Sequence, residues 1–210
     1  MTSIAVVDYG MGNLRSVAKA VEHVAPRART IVTSSKSEIE QADRVVFPGQ
    51  GAARECMANL RNHDLDQAIK SAYNNKPFFG ICMGLQVLFD SSDENDGVPC
   101  LGQVRGSVSR FDRDHSQPAC KIPHMGWNEV QQASDHPLWN DIPDRSRFYF
   151  VHSYYVKPAD EQMIFGKTDY LGQFCSAIAR DNVFATQFHP EKSAASGLQL
   201  LHNFSQWQPD

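Results

Sequence analysis

The stretch KPFFGICMGLQVLF, residues 76–89, runs an apolar segment into a cysteine placed between two glycines, Gly80 and Gly84, and then into a segment that reads as helical. A strand that ends in Gly-x-Cys-x-Gly and turns directly into a helix is how a nucleophile elbow is written. Its central residue takes a strained backbone conformation, and the flanking glycines leave room for strand and helix to approach closely. In that setting the Cys82 thiol stands near a helix N-terminus, where partial positive charge favours thiolate and backbone N–H groups can hold a developing oxyanion. The bland alternative is a buried free cysteine, the commonest state of a cysteine in an apolar run. The pentapeptide by itself leaves both open.

The residues before this stretch set the kind of sheet it belongs to. SIAVVD (3–8) reads as a buried strand, followed by the Gly-rich turn YGMGN (9–13) and an amphipathic helix, LRSVAKAVEHVA (14–25), with Leu14, Val17, Val21 and Val24 at helical spacing. TIVT (30–33) is a short second strand. RVVFPGQGA (44–52) is a third that ends in a Pro/Gly turn, ARECMANLRNHDLDQAIKSAY (53–73) reads as one helix, and PFFGI (77–81) is a fourth strand entering the cysteine turn. Short apolar runs alternating with helices predict an open, mostly parallel central sheet with helices on both faces. Ligands of such sheets gather at the carboxyl ends of the strands.

From about Val98 the pattern changes to short alternating segments, GQVRGSVSRF, RFYFVHSYYV, QFCSAIAR and NVFATQF, separated by polar or Gly/Pro punctuation. They predict antiparallel strands added to the parallel core in the second half. The end, SAASGLQLLHNFSQW, opens with serines suited to an N-cap and sets Leu198, Leu201 and Phe204 on one helical face. SSDENDG and FDRDHSQP read as exposed loops. With no repeat or linker, residues 1–210 form one expected α/β domain.

Composition excludes several classes. Lys plus Arg number 20 against 24 Asp plus Glu, a net charge of −4 with no basic block, so no nucleic-acid footprint is expected. No apolar stretch approaches the roughly 20 residues of a membrane span, and MTSIAVVDYG does not read as a cleavable signal; a cytoplasmic protein is expected. The five cysteines (Cys56, Cys82, Cys100, Cys120 and Cys175) are odd in number and contain no CxxC pair. That argues against a disulfide framework and a zinc site.

A thiol nucleophile needs a base. His189, in ATQFHPEKS, follows an apolar strand, is fixed by Pro190 and has Glu191 two positions on, which could orient and charge-stabilise its imidazolium. His124 in IPHMGWN and His152 in FYFVHSYY are the competing bases; His23, His63 and His202 read as surface residues. In FPGQGA, Gly49 and Gly51 at a strand end can turn a backbone N–H toward a neighbouring site, although the same residues also make an ordinary strand-to-helix turn.

Together, GICMGLQ and FHPEKS resemble the class I glutamine amidotransferases, whose triad is Cys/His/Glu. VVDYGMGNLRSV, FPGQGA, PHMGWN and FYFVHSYY are similar to the glutaminase subunits of imidazole glycerol phosphate synthases within that family, across nearly the whole chain. The resemblance implies glutamine hydrolysis to glutamate and ammonia, with Cys82 as nucleophile, His189 as base and Glu191 as its orienting carboxylate. It further implies Gln86 and Glu94 on the substrate side, and Ser153 and Tyr154 against the backbone groups of glutamine. Gly49, Gln50 and Gly51, with the Met83 N–H, would form the oxyanion hole; valine is common in the family where this chain has Gln50. A (β/α)8-barrel cyclase is the implied heterodimer partner, facing Asn13, Trp127 and Lys192, and it would consume the ammonia in histidine biosynthesis and activate an otherwise poor glutaminase. No metal or organic cofactor is required. The rivals are the glutaminase of another complex (anthranilate, aminodeoxychorismate or pyridoxal phosphate synthesis), a cysteine peptidase, and an inactive triad-bearing binding module.

Overall fold

Strand parity organises the first half. In the computed structural model, which describes residues 1–112 and 121–209, β1 (Ser3–Val7) sends Ile4 and Val6 to one core and Ala5 and Val7 to the other. Both faces are covered, so the strand is apolar throughout. Next come α1 (Leu14–Val24), β2 (Arg29–Thr33), α2 (Lys36–Gln41), β3 (Arg44–Gly49), α3 (Ala53–Asn62), α4 (Leu65–Asn75), β4 (Phe78–Cys82) and the short α5 (Met83–Gln86). β1 pairs in parallel with β2 and β3, and β3 with β4.

The second half adds β5 (Phe89–Ser92), β6 (Val98–Pro99), β7 (Val104–Arg110), β8 (His124–Glu129), β9 (Gln131–Gln132), β10 (Arg147–His152), β11 (Tyr154–Pro158), β12 (Ile164–Asp169), β13 (Gln173–Arg180), β14 (Val183–Thr186) and α6 (Ala194–Gln206). The main sheet runs β2-β1-β3-β4-β14-β13-β11-β7-β5-β6. β14 returns in parallel beside β4, while β13, β11 and β7 continue in antiparallel pairing. The expected α/β sheet with added antiparallel strands is the observed one. α2, α3 and α4 cover one face; α1, α6 and the separate β8–β10 pair cover the other. Among the described residues no helix is long and apolar enough to cross a membrane.

Several segments differ from the sequence reading. The single helix expected over 53–73 is two, because Asp64 takes a left-handed conformation (φ 53°, ψ 31°). The break re-aims the chain so that Leu60 on α3 and Leu65, Ile69 and Ala72 on α4 all reach one core. RFYFVHSYYV is also divided, at Ser153: β10 pairs with β8, and β11 joins the main sheet. Alternation continues across that join and so conceals it.

The helix after Cys82 lasts one turn, and Leu85, Val87, Leu88 and Phe89 are all fully buried. A run buried on every side carries no helical periodicity with which to persist. SSDENDG is not free: Ser92 is buried and Glu94 bonds to α3. Most of FDRDHSQP, with Cys120, lies outside the described residues.

Candidate active site

β1, β3, β4 and β14 run in parallel and finish along one rim. There Cys82 has φ 55° and ψ −103°, a strained conformation that turns its side chain out of strand parity and into the core beside Phe79 and Ile81. The glycines are required by contact. A Cβ on Gly84 would collide with the Phe47 carbonyl oxygen, and one on Gly80 would press on Ala185 and the Gly84 carbonyl.

β14 delivers the base. It pairs Thr186 with Ile81, so the next residues, Gln187 to His189, pass directly beside the elbow. His189 Nδ1 lies 2.9 Å from Glu191 Oε1, with both side chains almost wholly buried. Nε2 is buried without a partner of good hydrogen-bond geometry, and the group acting on it is the Cys82 sulfur. Burial alone would lower the His189 pKa, but the charge and hydrogen bonding of Cys82, with Glu191 behind, outweigh it and raise the imidazole above its ordinary range. The imidazole is thereby biased toward its protonated form, between the Cys82 sulfur and the Glu191 side chain.

Ser193 helps to fix this geometry. It precedes α6 but makes no side-chain cap, which corrects the N-cap reading. Its hydroxyl instead accepts from the Tyr149 N–H at 2.9 Å and donates to the His189 carbonyl at 2.6 Å. The His189 N–H reaches the Tyr149 carbonyl at 2.9 Å. The base is therefore tied at both backbone ends to β10.

A cavity of about 400 Å³ opens onto these groups. Gln50, Gly51, Met83, Gln86, Glu94, Ser153, Tyr154 and Lys192 line it together with Cys82 and His189. Gly49 lies beneath, paired with Cys82 across the sheet, where a Cβ would strike the Tyr9 hydroxyl and Met83. Gly51 has φ 86°, open to glycine. Glu94 has one oxygen committed: Oε2 accepts from the Ala53 N–H at 2.7 Å and so caps α3.

Asn13 and Trp127 are not on the cavity. Asn13 stands half-buried at the start of α1, without a side-chain cap bond, and Trp127 is 44% exposed on β8. Trp127 meets the Tyr149 ring edge-on, and Lys192 Nζ lies 5.9 Å from the centre of the same ring.

The competing histidines pair with each other, although His152 also lines the cavity. His124 and His152 are buried, which lowers their pKa values to about 4 and about 3, and they hydrogen-bond to each other at 3.0 Å. Both are neutral near pH 7. His23, His63 and His202 are exposed. Burial raises Cys56 and Cys175 to about 12 and Cys100 to about 11, leaving little thiolate at any of them.

One neighbour of the sulfur escaped the sequence reading. Gln187 is fully buried and its Nε2 lies 3.6 Å from Cys82 Sγ. A signal was present: it is a glutamine two before His189 at the end of a mostly apolar run, and alternation puts it on the same side as the base.

The family model for class-I glutamine amidotransferases matches residues 5–206. The chain is 56% identical over 207 residues to an imidazole glycerol phosphate synthase subunit HisH of Nitrosococcus oceani, covering 99% of this chain and 98% of that one. It is 52% identical over 209 residues to a protein of the same name from Pseudomonas syringae pv. syringae, with 99% and 98% covered. Among solved structures, a glutamine amidotransferase superposes with a TM-score of 0.71 at 16% identity, covering 96% of this chain and 97% of that one. Another, from Thermotoga maritima, gives 0.63 at 18%, covering 93% and 78%. These structural likenesses speak to the fold. With the sequence relationships beside them, the chain belongs to the class-I glutamine amidotransferases and, within them, to the family of imidazole glycerol phosphate synthase HisH subunits.

Proposed function

We propose that this chain is the glutaminase subunit of an imidazole glycerol phosphate synthase, hydrolysing L-glutamine through Cys82, His189 and Glu191 and passing ammonia to a (β/α)8-barrel cyclase in a cytoplasmic heterodimer. The observation that carries the chemistry is a cysteine on a strained, glycine-flanked elbow beside a buried His–Glu pair, opening on one cavity. The Cys82 thiolate attacks the side-chain amide carbon of glutamine. The oxyanion is held by backbone N–H groups at Met83 and the Gly49–Gln50–Gly51 loop, and Gln50 leaves that role intact because the donors are main-chain. Protonated His189 gives its proton to the departing ammonia; it then takes one from the water that cleaves the γ-glutamyl thioester, and Cys82 is regenerated. Glu191 keeps the imidazole oriented and stabilises its charge throughout.

Gln86, Glu94, Ser153 and Tyr154 form the binding wall for the amino-acid end of glutamine. Asn13, Trp127 and Lys192 form the cyclase-facing edge. The exposure of Trp127 on β8, and the contact of both Trp127 and Lys192 with Tyr149, support that grouping. No metal or organic cofactor enters any step.

The test is steady-state ammonia release by the chain alone, with the barrel cyclase, and with the cyclase plus its ribotide substrate. Release should be low in the first and greatest in the third. Equal rates in all three would remove partner activation, and no release in any would remove the glutaminase assignment.

A further inference from the structure

The side-chain amide of Gln187 does not have a free choice of orientation. Gln86 Nε2 lies 3.0 Å from the Tyr154 carbonyl oxygen, which only accepts, so the Gln86 group at that place is the amino group. The same Nε2 is 3.0 Å from Gln187 Oε1, which must then be the acceptor end. This leaves the Gln187 amino group facing Cys82 Sγ at 3.6 Å, a hydrogen-bonding distance for sulfur.

The chain of donors extends further. His152 Nδ1 donates to the same Tyr154 carbonyl at 2.8 Å, so its Nε2 accepts from His124 Nδ1 at 3.0 Å. His124 Nε2 then faces the Asn128 amide nitrogen at 3.4 Å. Both imidazoles are neutral, as each needs to be to carry one proton in this direction. A backbone carbonyl thus fixes, through two glutamines, which end of an amide meets the nucleophile.

We propose that Gln187 belongs to the reaction machinery: its N–H donates to Cys82 Sγ and holds the thiolate, while Gln86 and His152, through the Tyr154 carbonyl, are the residues that position it. This rests on Cys82 being the nucleophile. His189 stabilises the thiolate by charge; Gln187 supplies an uncharged donor from the neighbouring turn of chain, one that remains in place when His189 has given up its proton. The titratable groups around the sulfur are His189 with Glu191 behind it, Tyr9 from the end of β1, and His152 beyond His189, with Glu94 and Lys192 on the cavity wall. None of them takes the place of an N–H at the Gln187 position.

The experiment is the rate of Cys82 alkylation by iodoacetamide against pH, followed by peptide mapping, in the wild-type chain, in Gln187→Met and in Gln187→Glu, each checked for folding by circular dichroism. Gln187→Met removes the donor at similar length. Gln187→Glu keeps the acceptor toward Gln86 but offers no N–H to the sulfur. Both should move the alkylation midpoint to higher pH, by about one unit for Met, so that Cys82 reacts about tenfold more slowly below the midpoint. The Glu variant should move it further, because an ionised carboxylate adds like-charge repulsion to the lost donor, and the Met variant isolates the donor. A merely structural Gln187 would alter stability without moving the midpoint, so a folded variant titrating as wild type overturns the proposal. If Gln187→Met does not fold, Gln187→Leu, which also removes the donor without adding a charge, is read in its place. If wild-type Cys82 resists alkylation throughout, the nucleophile assignment has failed instead, and the two failures are distinct.

Discussion

Lowering the pH should destabilise this protein through its buried neutral histidines. His124 is 3% exposed, and burial lowers its pKa from the ordinary 6.5 to about 4. A histidine depressed on folding takes up its proton in the unfolded chain first. Its contribution is therefore complete above pH 6.5 and is lost as the pH falls toward 4. The slope is about 1.4 kcal/mol per pH unit in that window, which gives about 2 kcal/mol lost at pH 5 and about 3 kcal/mol at the limit. His152, lowered to about 3, adds in the same direction. The assay is urea unfolding at pH 7 and pH 5 for wild type and His124→Gln, whose amide can still donate to His152 but does not titrate. Whatever the variant costs at pH 7, it should lose about 2 kcal/mol less than wild type on acidification, a difference of about 1 M in the urea midpoint shift for a chain of this size. Parallel losses in the two proteins would refute the claim that His124 is buried in its neutral form.

Two further outcomes follow from the elbow and the triad. Gly84→Ala should cost about 3 kcal/mol or abolish soluble expression, since its Cβ meets the Phe47 backbone, whereas Gly97→Ala, at φ 99° with nothing within 4 Å among the described residues, should cost only about 1–2 kcal/mol of backbone strain; thermal denaturation of both checks the order. Glu191→Gln should lower glutamine turnover about 10²–10⁴-fold, and His189→Ala by more, because an orienting carboxylate contributes less than the base it orients; the reverse order in kcat would break the assigned roles.

The legible parts of this molecule are those in which a local pattern has a single physical solution. Continuous apolar strands such as SIAVVD must be covered on both faces, so the doubly wound core could be read directly. Gly80 and Gly84 around Cys82 mark a close approach that no side chain fits. The hidden parts depend on tertiary choices. Asp64 splits α3 from α4 without disturbing the apolar spacing around it, and α2 has Ile39 as its one buried residue, too weak a stripe to read. Ser153 parts β10 from β11 inside unbroken alternation. The hydroxyl of Ser193 had a local partner in its own helix and took a distant one instead. Gln187 was concealed differently: a buried glutamine is ordinary until the fold sets Gln86 and Cys82 on either side of it.

The claim on which the rest depends is that Cys82 is the reactive thiol and that glutamine occupies the cavity above it. The most direct measurement is to treat the chain with a glutamine-like chloromethyl ketone, with and without excess glutamine, and to map the label by mass spectrometry. The account predicts modification chiefly at Cys82, slowed by glutamine and abolished in a folded Cys82→Ala variant. Label appearing mainly at Cys56, Cys100, Cys120 or Cys175, or at Cys82 with no protection by glutamine, would contradict it.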